Sequence, residues 1–97
     1  MTGLLAALDP DVVLRADEAI VRMGAPALVA GAAEVAATFS GRARAARLAT
    51  IGGEPGLVWS SGAQPRVVFT FVITGDRITE IGMLSDPATL AELPIEP

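Results

Sequence analysis

The sequence predicts an α+β domain in which helices sit to one side of a run of antiparallel strands, and three observations predict it. Residues Arg66 to Thr74 alternate with the two-residue period of a strand: Val67, Phe69, Phe71 and Ile73 form one wholly apolar face, and Val68, Thr70, Val72 and Thr74 a mixed one. Gly75-Asp76 follows as a two-residue hairpin signal, so Arg77 to Leu84 is expected to return antiparallel. Upstream, Ala32, Val35, Ala36 and Phe39 recur at i, i+3, i+4 and i+7, the stripe of an amphipathic helix. Strands grouped in this way, with helices segregated from them, imply α+β and exclude a doubly wound parallel sheet. The 97 residues suit a single domain over 1–97 with one core, and there is no internal repeat, linker or low-complexity tract.

In chain order, Thr2 to Leu8 reads as a short helix or the tail of one, stopped at Asp9-Pro10 because the residue before proline avoids the α region. Val12 to Asp17 reads as a strand with Val12, Leu14 and Ala16 on one face and Val13, Arg15 and Asp17 on the other. Glu18 to Met23 reads as a second short strand, ended by Gly24-Ala25-Pro26. The amphipathic helix then starts near Gly31 and breaks near Gly41; Arg42, Arg44 and Arg47 suit a helix C-terminus electrostatically. Arg47 to Ile51 and Leu57 to Ser61 are strands separated by Gly52-Gly53-Glu54-Pro55-Gly56, and a turn covers Gly62 to Pro65. After the 66–84 hairpin, Asp86 is placed to cap a last helix over Ala88 to Leu93, with Pro87 in its first turn.

Composition removes several functions. The chain is 52% hydrophobic and 19% charged, with a mean hydropathy of +0.53, much of the excess being alanine. A chain this short buries only ~60–65% of its unfolded surface, so an apolar face covered by another chain is expected. Net charge is −4 and all 7 basic residues are arginines, only three of them close in sequence; direct nucleic-acid binding is not expected. With no Cys, His or Tyr, the chain lacks thiolate and imidazole metal ligands, the commonest general base and the phenolic oxyanion donor. No metal or other cofactor is expected. The N-terminus has no basic region or apolar run of a signal peptide, and the most apolar stretch, Met23 to Ala33, falls short of the ~20 residues of a bilayer helix. A cytoplasmic protein with no membrane association is therefore expected, and the bias to Ala, Gly and Arg points to a GC-rich bacterial genome.

The segment from Leu8 through Asp9-Pro10-Asp11-Val12-Val13-Leu14-Arg15-Ala16 to Asp17 resembles the first strand region of SnoaL-like domains of the nuclear transport factor 2-like superfamily. The similarity is strongest to those at the C-terminus of certain extracytoplasmic-function sigma factors. Gly53-Glu54-Pro55-Gly56-Leu57-Val58 is similar to the Gly-x-Pro-Gly stretch that opens a middle strand there. Gly75-Asp76-Arg77-Ile78-Thr79-Glu80-Ile81 and Ser85-Asp86-Pro87-Ala88-Thr89-Leu90 resemble the final hairpin and ending of that group. The resemblance runs from about Leu4 to Leu93. It implies a strongly curved, cone-like antiparallel sheet (a cystatin-like α+β roll) wrapped around helices, with a ligand pocket inside. Members include polyketide cyclases, ketosteroid isomerases, epoxide hydrolases and non-catalytic regulatory or dimerising domains, so fold does not fix function. In the sigma-factor group Asp-Gly-Gly-Gly-Lys follows the first strand; here Asp17 matches and Glu18-Ala19-Ile20-Val21 replaces the rest. The family's long first helix would precede Leu4; a chain without it, as expected here, would leave the hollow face short of a lid. A second copy is the natural cover, so a homodimer is expected.

Asp17 is the best acid/base candidate if the chain is an enzyme, because desolvation in an apolar cavity raises a carboxyl pKa. Paired with a strand-end arginine it would be merely structural, and no catalytic residue is assigned. Asp76 in a turn and Asp86 at a helix cap have structural roles, and Glu54 lies in a Gly/Pro loop. By resemblance, the epoxide hydrolases need Tyr and Asn beside their carboxylates, and the isomerases a Tyr donor beside their Asp; this chain has neither Tyr nor Asn. The Gly52–Gly56 run lacks the Gly-Lys-Ser/Thr ending of a phosphate loop. Arg15, Asp17, Trp59, Phe69 and Phe71 form the expected pocket set, for a hydrophobic small molecule. Arg15, Arg22 and Arg66 would serve an acidic ligand, though as strand-surface charges they need no explanation. Three functions stay open: a non-catalytic ligand-binding or regulatory domain dimerising through its sheet, a cyclase or isomerase using Asp17 on a polyketide- or steroid-like substrate, and a stand-alone relative of the sigma-factor accessory domain acting by protein contact.

Overall fold

In the computed structural model, residues 7–42, 46–61 and 64–96 are described, and they form a seven-stranded sheet with three short helices on it. The strands are β1 (Leu8–Ala16), β2 (Leu28–Ala30), β3 (Arg47–Ile51), β4 (Glu54–Ser61), β5 (Gln64–Thr74), β6 (Arg77–Leu84) and β7 (Ile95–Glu96). The helices are α1 (Glu18–Arg22), α2 (Ala32–Arg42) and α3 (Pro87–Glu92). Spatial order is β2-β1-β6-β5-β4-β3-β7. Every pairing is antiparallel except β1 with β6, which is parallel, so the antiparallel meander runs only from β3 to β6. The predicted α+β class and the mostly antiparallel sheet are what the chain adopts.

Three register shifts bend the sheet, because each bulge adds twist and turns the strand. They lie in β1 against β6 between Leu8 and Val13, in β4 against β5 at Trp59/Ser60, and in β5 against β6 at Val72/Ile73. The first explains why β1 extends back through Asp9-Pro10: proline, which cannot donate to a ladder, sits where the pairing is already broken. At the third, Thr79 is the unpaired extra residue and its hydroxyl donates to the Val72 carbonyl at 3.2 Å.

Both faces of the sheet carry a core. On one, Val12, Leu14, Val35, Phe39, Phe69, Ile81 and Met83 are buried together beneath α2. Phe39 projects from α2 and meets Phe69 and Phe71 edge-on, at centroid distances of 5.3 and 5.9 Å. On the other, Ile51, Val58 and Val68 are buried against Leu84, Leu90, Leu93 and Ile95, so α3 and β7 close that side. Alternation makes this possible, since Val68 and Phe69 point opposite ways and both are fully buried.

Several expectations are corrected. Glu18–Arg22 is a helix, not a strand: the Asp17 side chain caps it through the Ile20 N–H, and Glu18 pairs with Arg22 across one turn at 3.2 Å. Asp17 therefore leaves β1 and becomes a cap. The apolar face of β5 includes Val67, Phe69 and Phe71, but Ile73 lies beyond the register shift and is 59% exposed. The Gly52–Gly56 loop shrinks to a two-residue turn with positive φ at Gly52 and Gly53, so β4 starts at Glu54. The short strands β2 and β7 were not anticipated. The helix read over Thr2–Leu8 falls outside the described residues until its end, where Leu8 already belongs to β1; of the turn expected over Gly62 to Pro65, Gln64 and Pro65 are instead the start of β5, while 62–63 and Arg44 lie outside the described residues.

Candidate functional site

A cavity of about 880 Å³ lies between the helices and the sheet, on the α2 face. Ile20 and Met23 at the end of α1, and Ala37 and Thr38 on α2, form its wall. Trp59, Val67, Phe69 and Met83 form its floor, and Arg66 and Ser85 its polar edge. Strand register explains the floor. Residues directly opposite one another in neighbouring antiparallel strands share a face. Leu48, Leu57, Phe69 and Met83 therefore run in one row across β3, β4, β5 and β6, with Trp59 opposite Val67 beside them. Helix α2 covers the Phe69 end of that row, and the β3 end is bare: Leu48 is 78% exposed and Trp59 38%.

The expected pocket residues separate. Trp59 and Phe69 line the cavity, whereas Phe71 packs on Phe39 in the core beneath α2. Arg15 projects from the opposite face of β1, where its Nε pairs with Glu80 Oε1 at 3.1 Å in solvent. It does not pair with Asp17. The lining residues beyond the expected pocket set are Ile20, Met23, Ala37, Thr38, Arg66, Val67, Met83 and Ser85; the alternation of β5 puts Val67 on the Phe69 face, while Ile20 and Met23 reach the cavity only because Glu18–Arg22 is a helix.

Asp17 is fully occupied. Its Oδ1 accepts from the Ile20 N–H at 3.0 Å, and its Oδ2 accepts from the Ser85 and Asp86 N–H groups at 2.7 and 2.9 Å. Burial pushes its carboxyl pKa up, but the backbone donors of Ser85, Asp86, Ile20 and Ala19 together outweigh that and hold it below the ordinary carboxylate value. A general acid/base near neutral pH needs the opposite shift. The carboxylate instead ties the start of α1 to the junction of β6 and α3. From that junction the Ser85 hydroxyl donates to the Arg66 carbonyl at 2.8 Å, so one chain of hydrogen bonds runs from Asp17 to the cavity edge. Asp86 caps α3 as expected, accepting from the Thr89 N–H and hydroxyl at 3.0 and 2.9 Å. Among the described residues no three acidic side chains converge into a metal-binding group, and no helix is long and apolar enough to cross a membrane.

No sequence-family model matches this chain, and no curated protein matches it in sequence. Among solved structures it is similar to the extracytoplasmic function sigma factor SigJ of Mycobacterium tuberculosis, with a TM-score of 0.66 and 17% identity. The match covers 93% of this chain and 38% of the sigma factor, so the chain spans well under half of that protein's length. It is also similar to TerC co-crystallised with polyporic acid, with a TM-score of 0.56 and 14% identity over 94% of this chain and 82% of TerC. These likenesses establish the fold alone: the chain shares the mixed α+β architecture, a mostly antiparallel sheet with short helices, of those two structures.

Proposed function

We propose that this SnoaL-like fold is a non-catalytic binding module: it holds a hydrophobic small molecule in the cavity beside α2 and pairs with a second copy through its sheet. The observation that carries the reading is the cavity itself. About 880 Å³ falls within the ~300–1,000 Å³ of small-molecule pockets, and its lining is mostly apolar with a few polar groups at one edge, as such sites are built. A fold neighbour was co-crystallised with an organic acid, polyporic acid, which is in keeping with this use of the architecture. Asp17, the one carboxylate that could have argued for a cyclase or isomerase, has both oxygens committed to backbone donors, which favours binding over catalysis.

Trp59 is the chain's single tryptophan and borders the cavity, so it reports occupancy. Titration with the neutral fluorophore N-phenyl-1-naphthylamine is expected to give saturable binding at one site per chain, with energy transfer from Trp59. Ala37→Trp, at an exposed helical position on the cavity wall, is expected to leave folding intact and abolish the signal. Non-saturable binding, or equal binding by the variant, would rule the reading out.

A second reading has its own support. The greater structural likeness is to a sigma factor of which this fold makes up 38%, which fits a module acting by protein contact. On that reading the bare row at Leu48 and Trp59 would receive a protein, and the cavity would stay empty of small molecules in the titration above.

A further inference from the structure

The cavity has one charged residue in its lining, Arg66, and its position is unusual for its place in the sequence. In an unbroken ladder Arg66 would share the face of Val68 and point away from the cavity. The β4–β5 register prevents this: Trp59 pairs with Val67 and Ser60 with Pro65, leaving Arg66 as the extra residue of a β-bulge with no partner across the strand. Bulges re-aim side chains in this way. The Arg66 carbonyl accepts from the Ser85 hydroxyl at 2.8 Å, and Ser85 is itself fixed through its N–H by Asp17 at 2.7 Å. Arg66 makes no ion pair among the described residues.

Building on the binding reading above, we infer that the ligand is an amphipathic anion: an apolar body on the Trp59–Phe69 floor and a carboxylate, enolate or sulfonate-like group at the Arg66 guanidinium. A planar guanidinium with several donors suits such oxygens. In a chain of net charge −4, a cation isolated at the edge of an apolar hollow is a local selectivity element against the overall field. Asp17 and Ser85 are positioning residues, acting through the bulge backbone.

The test compares N-phenyl-1-naphthylamine with 8-anilinonaphthalene-1-sulfonate, which adds a sulfonate to the same skeleton. The wild-type chain is expected to bind the sulfonate about tenfold more tightly, the size of a charge-assisted hydrogen bond. Arg66→Gln should remove that preference, read as the ratio of the two affinities, Arg66→Lys should restore part of it, and Arg77→Gln at the distant hairpin should leave the ratio as in the wild type. Circular dichroism melts on each variant verify that the probes meet a folded chain. If both probes bind but the sulfonate gains nothing, or Arg66→Gln leaves its gain intact, the anionic ligand is wrong while the cavity reading survives. If neither probe binds, the cavity reading itself fails.

Discussion

Asp17 joins three backbone donors from two distant parts of the chain, and its removal should be felt in both. In Asp17→Asn one oxygen becomes an NH₂ group, so either the Ile20 N–H or the Ser85 and Asp86 N–H groups face a donor instead of an acceptor. A loss of about 1–3 kcal/mol in urea denaturation at pH 7 is expected, from the lost charge and from whichever is left facing the NH₂ group, the cap or the Ser85 and Asp86 donors. The pH dependence has a definite sign. A carboxyl whose folded pKa is depressed stabilises the chain above its unfolded pKa of ~3.9 and loses that contribution as pH falls through the folded value. The difference between wild type and variant should therefore narrow below about pH 5; a difference constant in pH would assign the effect to packing. Asp17 stood out in the sequence as a carboxylate at a strand end. Its role was not legible, because Ser85 and Asp86 lie 68 and 69 residues away and only the fold brings their N–H groups to it.

Strands β3, β5 and β6 were legible to within a residue or two because long alternating runs between glycine turns encode them. The five residues of α1 were not: a helix of barely one turn with a single buried residue, Ile20, has no period to read, and its stability comes from the Asp17 cap. The three-residue β2 and two-residue β7 are too short for any pattern, and form because neighbouring strands offer them an edge. Close approach between strands makes its own demand. A Cβ on Gly56 of β4 would stand 2.6 Å from the Phe69 carbonyl oxygen and 2.7 Å from Ile51 Cγ1. The carbonyl is backbone in the central ladder and cannot retreat without breaking it. Gly56→Ala is expected to cost about 1–3 kcal/mol, lowering the melting temperature by roughly 5–15 °C in a thermal scan. An unchanged melt would mean that β4 and β5 sit farther apart at this point.

At the scale of the molecule, the sheet is covered unevenly. Helix α2 roofs one end of the inner face, α3 and β7 close part of the outer one, and Leu48 on β3, with Trp59 beside it on β4, is left to solvent among the described residues. Pairing of two copies there would bury it. Leu48→Glu should then shift sedimentation from dimer to monomer at tens of micromolar, with a stability change of the single chain within about 0.5 kcal/mol because the side chain is already 78% exposed. A wild-type monomer at that concentration would contradict pairing. Composition anticipated surplus apolar surface but not its location, since which residues share a face depends on registers and bulges that no local pattern carries. The cavity between α2 and the bent sheet is the feature on which the proposed function rests, and amide and indole shift mapping by NMR tests it most directly. Addition of N-phenyl-1-naphthylamine should move the Trp59 indole N–H together with the amides of Thr38, Val67, Phe69 and Met83, while Val13, Arg15 and Glu80 on the far face stay still. Shifts centred on that far face, or none at saturation, would contradict the account.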